Sequence, residues 1–436
     1  MFNTSTIQTL AKRLREPEWL TALRHRAFAR HGELPWPHAS DDIWRRTDVS
    51  LLDPARGFAP VAPPLMEAVS LSTEQFAQLT KPLGHETLLV RANGAWLTED
   101  APRGITVSEL TEAARETPDL IQQAIEADGL SEAEQKLSTL NLAFHHDDVA
   151  IQVPAGFSGS EPLRLVHLFS TAAKQALFPL TVITVGAGST VTLIDEYVSL
   201  DGSSVEAPHL ANVRIELVLE PNATVHYVRL QRWDRRAREF VLQRATVGRG
   251  ASLTMANINL GAALSKAHII AKLSGEHAAT RLYGFVFGHG HQHIDQHTLQ
   301  DHRAPHTMSD LQFKAALQDQ SRMIYTGLIR IAKEAKQTEA FQANHNLLLS
   351  RTAKAESIPM LEILADDVQC KHGSSTGPID DEQAFYLMSR GVPREHAQRL
   401  IVMGFIESIV QQVPFAPLQE RLRAEIEGNL HGEGSL

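Results

Sequence analysis

A short motif recurs through the middle of this 436-residue chain and limits what the chain can fold into. It consists of an apolar residue, a tight turn, a small residue and an apolar strand start. The clearest copies are Val185-Gly-Ala-Gly-Ser-Thr-Val191, Leu219-Glu-Pro-Asn-Ala-Thr-Val225 and Val247-Gly-Arg-Gly-Ala-Ser-Leu253. A weaker copy begins at Leu273-Ser-Gly-Glu276 and another is Leu317-Gln-Asp-Gln-Ser-Arg-Met323, so successive copies are offset by 34, 28, 26 and 44 residues. Between them, Leu163–Phe169, Leu180–Val185, Val213–Leu219 and Thr224–Leu230 alternate apolar and polar residues as strands do. An imperfect repeat of this length, built from strands, predicts a parallel β-solenoid, in which stacked coils bury a core that no coil could bury alone. An antiparallel sandwich with similar hairpin turns stays open, because the offsets are uneven.

The flanks read differently. Leu10, Leu14, Leu20, Leu23 and Phe28 recur at helical spacing over residues 1–30, and six prolines between Pro35 and Pro64 make 31–65 an irregular connector. Helices are predicted near 71–80, 106–116 and 131–142, the second capped by Thr106 or Ser108 and the third by Ser131 with Glu134 completing a capping box. After Gly373 the helical period returns. Asp380–Ser389 has an acidic start, Gly391 fits a helix stop, and Pro393 opens a longer helix. On that helix Leu400, Ile401, Phe405 and Ile409 belong to one apolar stripe, and Val402, Ile406 and Val410 form a second. So wide an apolar surface must be covered, by the chain's own core or by a docked partner. A formal charge of −10 argues against a nucleic-acid surface, and no apolar stretch is long enough for a membrane span. The N-terminus lacks the order of a secretory signal. One cysteine excludes a disulfide framework and a self-contained four-cysteine cluster site, and is consistent with a reducing, cytoplasmic setting.

That cysteine lies in Asp366-Asp-Val-Gln-Cys-Lys-His-Gly373. On an extended strand Cys370 and His372 share a face, and a thiolate beside an imidazole is half of a site for iron, zinc or transferred sulfur. The rest of the site must come from elsewhere. A second run, Gly288-His-Gly-His-Gln-His-Ile-Asp-Gln-His297, places His289, His291, His293, Asp295 and His297 at alternate positions. It is read as an exposed polar strand face; a histidine-based metal-binding module is the alternative. Gly186–Thr190 lacks the ending of a phosphate loop and precedes a strand, so it is read as a solenoid turn. No complete catalytic constellation is present. A β-helix carbohydrate-active enzyme would need paired acids on one solenoid face.

The segments Asn344–Ser350, Ala355–Ile363, Ala365–Gly373 and Ile379–Gly391 resemble the SufB/SufD family of iron–sulfur cluster assembly proteins. So do Asp295, Asp301-His302 and Pro305-His306 with Gln337–Gln342. Trp44–Asp48 and the single-cysteine motif are similar to the family's SufD branch. The resemblance implies a mainly β protein: a helical region with a Pro-rich connector at 1–147, a right-handed parallel β-helix at 148–376 and a helical region at 377–436. It implies a non-catalytic cytoplasmic scaffold that pairs with SufB through the β-helix and docks the SufC ATPase through the C-terminal helices. ATP would enter only through SufC. A nascent iron–sulfur cluster, or iron, would be shared with SufB at His372, with a weaker carry-over to Cys370. The docking residues implied are Leu400, Ile401, Phe405 and Ile409. A homodimer of the isolated chain is compatible with the same pattern.

Overall fold

The computed structural model describes residues 2–60, 76–77, 80–98, 103–126, 130–169, 174–199 and 208–430. The helix expected at 71–80 falls largely outside the described residues. The elements, in chain order, are α1 (Thr4–Arg13), α2 (Glu18–Glu33), β1 (Ala59–Pro60), β2 (Thr87–Ala92), β3 (Ala95–Trp96), β4 (Thr106–Glu109), α3 (Leu110–Glu116), α4 (Pro118–Ile125) and α5 (Glu132–Phe144). Then come β5 (Val149–Val153), β6 (Leu163–Phe169), β7 (Gln175–Leu177), β8 (Leu180–Val185), β9 (Thr190–Ser199), β10 (His209–Leu219), β11 (Thr224–Arg232), β12 (Ala237–Val247), β13 (Ser252–Asn259) and β14 (Leu264–Leu273). The chain continues with β15 (Ala279–Gly288), β16 (His293–His302), β17 (Met308–Leu317), β18 (Arg322–Ile331), β19 (Thr338–Leu348), β20 (Lys354–Ile363) and β21 (Val368–Pro378). It ends with α6 (Asp381–Ser389), α7 (Arg394–Val410) and α8 (Ala416–Leu430).

The strands form two sheets, one ordered β20-β18-β16-β14-β12-β10-β8-β5-β4 and the other β21-β19-β17-β15-β13-β11-β9-β6-β2-β3. Each coil gives one strand to each sheet, neighbouring coils pair in parallel, and about 7 turns stack into a β-solenoid. The parallel pairing excludes the antiparallel sandwich. The turn Val185–Val191 joins β8 to β9 and shows why glycine recurs there. A Cβ on Gly186 would sit 2.4 Å from the backbone nitrogen of Ala155 in the coil below, and Gly188 has φ +65°. The offset of 44 has a simple cause. Leu273 pairs with His302 on the next coil, so the true successor of its turn is His302–Met308. The turn at Leu317 lies on the opposite edge of the solenoid, joining β17 to β18.

Three apolar layers hold the structure. Inward-facing residues of both sheets, such as Val213, Val241 and Ile269 against Leu253, Leu282 and Leu311, make the solenoid core. The outer face of the first sheet is covered by the N-terminal helices, with Ile7, Leu20, Trp44 and Leu140 packed on Leu180, Phe240 and Leu299. The outer face of the second sheet is covered by α7 and α8, where Val402, Ile406, Ile409, Leu418 and Leu422 meet Val228, Ile258 and Phe285. Burying each such side chain contributes about 1.5–3 kcal/mol. The strands between these layers are therefore buried on both faces. An ion cluster also fastens α8. Glu196 of β9 accepts from Arg421, from Arg232 at 2.7 Å and from Arg164 at 3.2 Å. Burial alone would raise the Glu196 carboxyl; the Arg421, Arg232 and Arg164 guanidiniums instead pull it well below the carboxylate range.

Local predictions meet the structure unevenly. The Ser131–Glu134 capping box opens α5 as expected. Residues 1–30 divide into α1 and α2, because Arg15 adopts φ 52° and Pro17 restarts the helix. Thr106 and Ser108 do not cap α3. They belong to β4, which pairs antiparallel with β5, and the helix begins only after Glu109, without a side-chain cap. No helix of the described residues is long and apolar enough to cross a membrane.

Candidate functional site

The site lies where the solenoid stops. Strand β21 pairs with β19 on one side, and among the described residues no strand lies on its other side; β20 ends the first sheet in the same way. None of the residues of β21 or β20 is buried. Long, uncovered edge strands offer a row of unpaired backbone donors and acceptors, and natural sheets blunt such edges with charge and proline. Pro359, Glu356 and Glu362 on β20 and Lys371 on β21 fit that practice. Beside them Leu361, Ile363 and Leu364 are exposed, Leu364 by 62%.

Cys370 and His372 are fixed by the register of β21 on β19. His372 stands next to Gln342, which stands next to Leu311, then Leu282, then Met255. Met255, Leu282 and Leu311 face the solenoid core, so this column runs inside the solenoid and changes from apolar to polar at its open end. The parallel column through Cys370 runs back over Ala340, Ser309, Thr280 and Leu253. The two candidate ligands thus share one face at the mouth of the solenoid interior. Cys370 is partly covered, packing against the cluster that contains Ile329, Ile331 and Ala340. His372 is exposed, and no hydrogen bond holds its ring among the described residues. Nearby Asn344 and Asn346 bond each other, and Asn346 reaches Thr376 of β21 at 3.1 Å, which stiffens the strand pair behind the site.

The chemistry of the pair is asymmetric. Burial pushes the Cys370 thiol up, away from the thiolate that binds metal or attacks. His372 is open to solvent. The arrangement offers an imidazole first and a soft sulfur second, with no third ligand gathered around them among the described residues. It remains half of a site.

The other predicted residues separate. His289 and His291 lie at the turn before β16, whereas His293, Asp295 and His297 share the outer face of that strand. That face is not the exposed polar surface expected. The N-terminal region covers it: Thr47 bonds Asp295 at 2.5 Å and contacts His293 at 3.1 Å, while Asp295 and His297 are buried. His302 points inward and bonds Thr307 and Ser309, both at 2.8 Å. Of the C-terminal stripe, Ile409 is fully buried against the chain's own second sheet, Phe405 is half-buried under Lys314, and Ile401 is half-buried. Leu400 is 52% exposed. On α6, Phe385 and Tyr386 are 71% and 58% exposed; the sequence reading had not singled them out, although their neighbours in an acidic, amphipathic helix gave the signal. Helix α8, with Arg421, was also missed.

Comparison with known proteins agrees with this architecture. The family described as "SUF system FeS cluster assembly, SufBD core domain" matches residues 168–405, from the end of β6 into α7. An iron–sulfur cluster assembly SufBD family protein of Synechocystis is 27% identical over 402 residues, covering 90% of this chain and 87% of that one. SufD of Bacillus subtilis is 26% identical over 429 residues, covering 97% and 96%, and SufD of Escherichia coli is 28% identical over 285 residues, covering 65% and 66%. With more than half of its length matched by the family's core and the expected solenoid present, the chain belongs to the SufB/SufD family of iron–sulfur cluster assembly proteins.

Proposed function

We propose that this chain is a non-catalytic scaffold of the SufD kind, which completes a cluster-building site by pairing end to end with a SufB-like partner in the cytoplasm. The observation that carries the reading is the uncovered terminal coil. Among the described residues both sheets end in long strands that pair on one side only, and His372 stands at the mouth between them. A partner solenoid that pairs with β20 and β21 would cover the exposed Leu361, Ile363 and Leu364 and bring its own ligands to His372. A nascent iron–sulfur cluster, or iron, is then cargo held across the interface, with Cys370 a secondary ligand. The thiol raised by burial supports that ranking, since the shift works against the thiolate form. The exposed aromatic face of α6 with Leu400 supports docking of a SufC-like ATPase, which would supply the ATP. Both broad faces of the solenoid are covered by helices, which leaves little room for the long substrate groove of a carbohydrate-active enzyme.

The test is co-expression with SufB-like and SufC-like partners, followed by iron–sulfur reconstitution. His372→Ala is expected to assemble the complex normally while reducing cluster yield several-fold, and Cys370→Ser to have the smaller effect. Full cluster formation and transfer in His372→Ala would remove the assigned role.

A further inference from the structure

Away from the open end, beneath the N-terminal helices, three ligating side chains converge in a closed space. Glu134 of α5, His268 of β14 and His297 of β16 are all buried, and their ligand atoms lie within 4.8 Å of one another. His268 and His297 are in register on adjacent coils, with ring centroids 5.3 Å apart. Neither ring nitrogen of His268 has a hydrogen-bond partner, nor has Nε2 of His297. Buried orphans of this kind are costly, about 1–3 kcal/mol each, and one ligand atom from each of the two rings lies close enough to the Glu134 carboxylate for all three to share a single ion. Glu134 is already oriented. Its Oε2 accepts from the Ser131 amide at 2.8 Å and from the Ser131 hydroxyl at 2.7 Å, while Oε1 stands 3.6 Å from His268 Nδ1, too far for a direct hydrogen bond. Trp44 and Phe240 wall the space. Lys266 is adjacent, but its ammonium is matched by Asp295 at 2.9 Å.

We propose that Glu134, His268 and His297 bind one divalent transition-metal ion of the zinc or ferrous type, which fastens the N-terminal helices to two coils of the solenoid. Two neutral imidazoles and one carboxylate are the donor set of such ions, and a remaining position falls to water. The Ser131 contacts act as the outer support that fixes a ligating carboxylate. Bond lengths of about 2.0–2.1 Å require the three side chains to draw inward around the ion. The site does not depend on the cluster-building role and is separate from His372.

Tag-free full-length protein, stripped with EDTA, is titrated with zinc chloride against a chromophoric chelator, and bound metal is counted by elemental analysis. The expected result is one zinc per chain, with affinity at least tenfold weaker in Glu134→Gln, which keeps the capping box, and no binding in His268→Ala/His297→Ala. Cobalt(II) in the site should show visible bands without thiolate charge transfer. Binding should be unchanged in His289→Ala/His291→Ala and in Cys370→Ser/His372→Ala. If the double alanine variant does not fold by circular dichroism, Glu134→Gln and His297→Gln decide the matter. The proposal is overturned if wild-type protein binds no zinc at micromolar concentration, if Glu134→Gln binds as tightly as wild type, or if stoichiometric binding survives the loss of His268 and His297.

Discussion

The middle coils and the last coil are built on the same register yet differ in every physical respect that matters. Strands β14 and β16 carry almost no accessible residue, and the buried Lys266 and Asp295 they contribute pair with each other. Strands β20 and β21 carry no buried residue at all. A solenoid coil takes its stability from its neighbours, and terminal coils ordinarily carry a polar cap. Here the last coil instead presents exposed Leu361 and Leu364, an imidazole and a thiol. The difference separates two uses of one repeat: interior coils hold the fold, and the terminal coil carries the exposed edge on which the proposed pairing rests.

The sharpest test of that division is Glu196→Ala, expected to destabilise the isolated chain by about 3–5 kcal/mol in denaturant unfolding, because Arg164, Arg232 and Arg421 lose the buried carboxylate they share and only Glu86 and Glu425 remain to balance three guanidiniums. A substitution on β21 that proved equally costly would break the contrast. Next in size is acid sensitivity. Burial lowers His302 to about 4, against an ordinary value near 6.5. The folded chain therefore refuses a proton that the unfolded chain takes. The stability involved is fully present above pH 6.5 and is lost as pH falls toward 4, by about 3 kcal/mol at most. His302→Gln should flatten that part of the pH–stability curve, and an unaltered slope would show that another group controls it. A smaller effect on stability, but a visible one on association, is expected from Pro359→Val. Restoring an amide to the edge should promote self-association in sedimentation experiments at unchanged secondary structure. A variant as monodisperse as wild type would mean that proline does not guard the edge. Smallest of all, His372→Ala should change stability by no more than about 0.5 kcal/mol, as expected of an exposed side chain. A larger loss in the melting curve would place His372 among the structural residues.

Much of this was legible in the residues. Strands Leu163–Phe169 and Leu180–Val185 follow from two-residue alternation and the turns from glycine spacing, because these signals are local. The alternation of Cys370 and His372 likewise placed both on one face. What escaped the sequence depended on distant partners. Thr106 and Ser108 look like helix caps until β5 recruits them into a sheet. The outer face of β16 reads as solvent-exposed until Thr47 and α5 close over it. Ile409 and Leu400 belong to one apolar stripe, and nothing local says that the chain's own second sheet takes the first and leaves the second outside. The uneven offsets concealed two edges of one solenoid, since turns on opposite edges have similar composition.

The N-terminal helices lie on strands made much later, and this sets a timetable. Ile7 and Leu20 share a cluster with Leu299, and Arg46 bonds Glu356 at 2.6 Å across 310 positions of sequence. At about 5–20 residues per second, a ribosome needs roughly 15–60 s to supply that partner after Arg46 has been made. Until β8 and β10 emerge the apolar side of the first helices has no sheet to rest on, and its cover is complete only when the last coils have been made. Synthesis speed and early chaperone contact should therefore affect the yield of this protein more than its final stability would suggest.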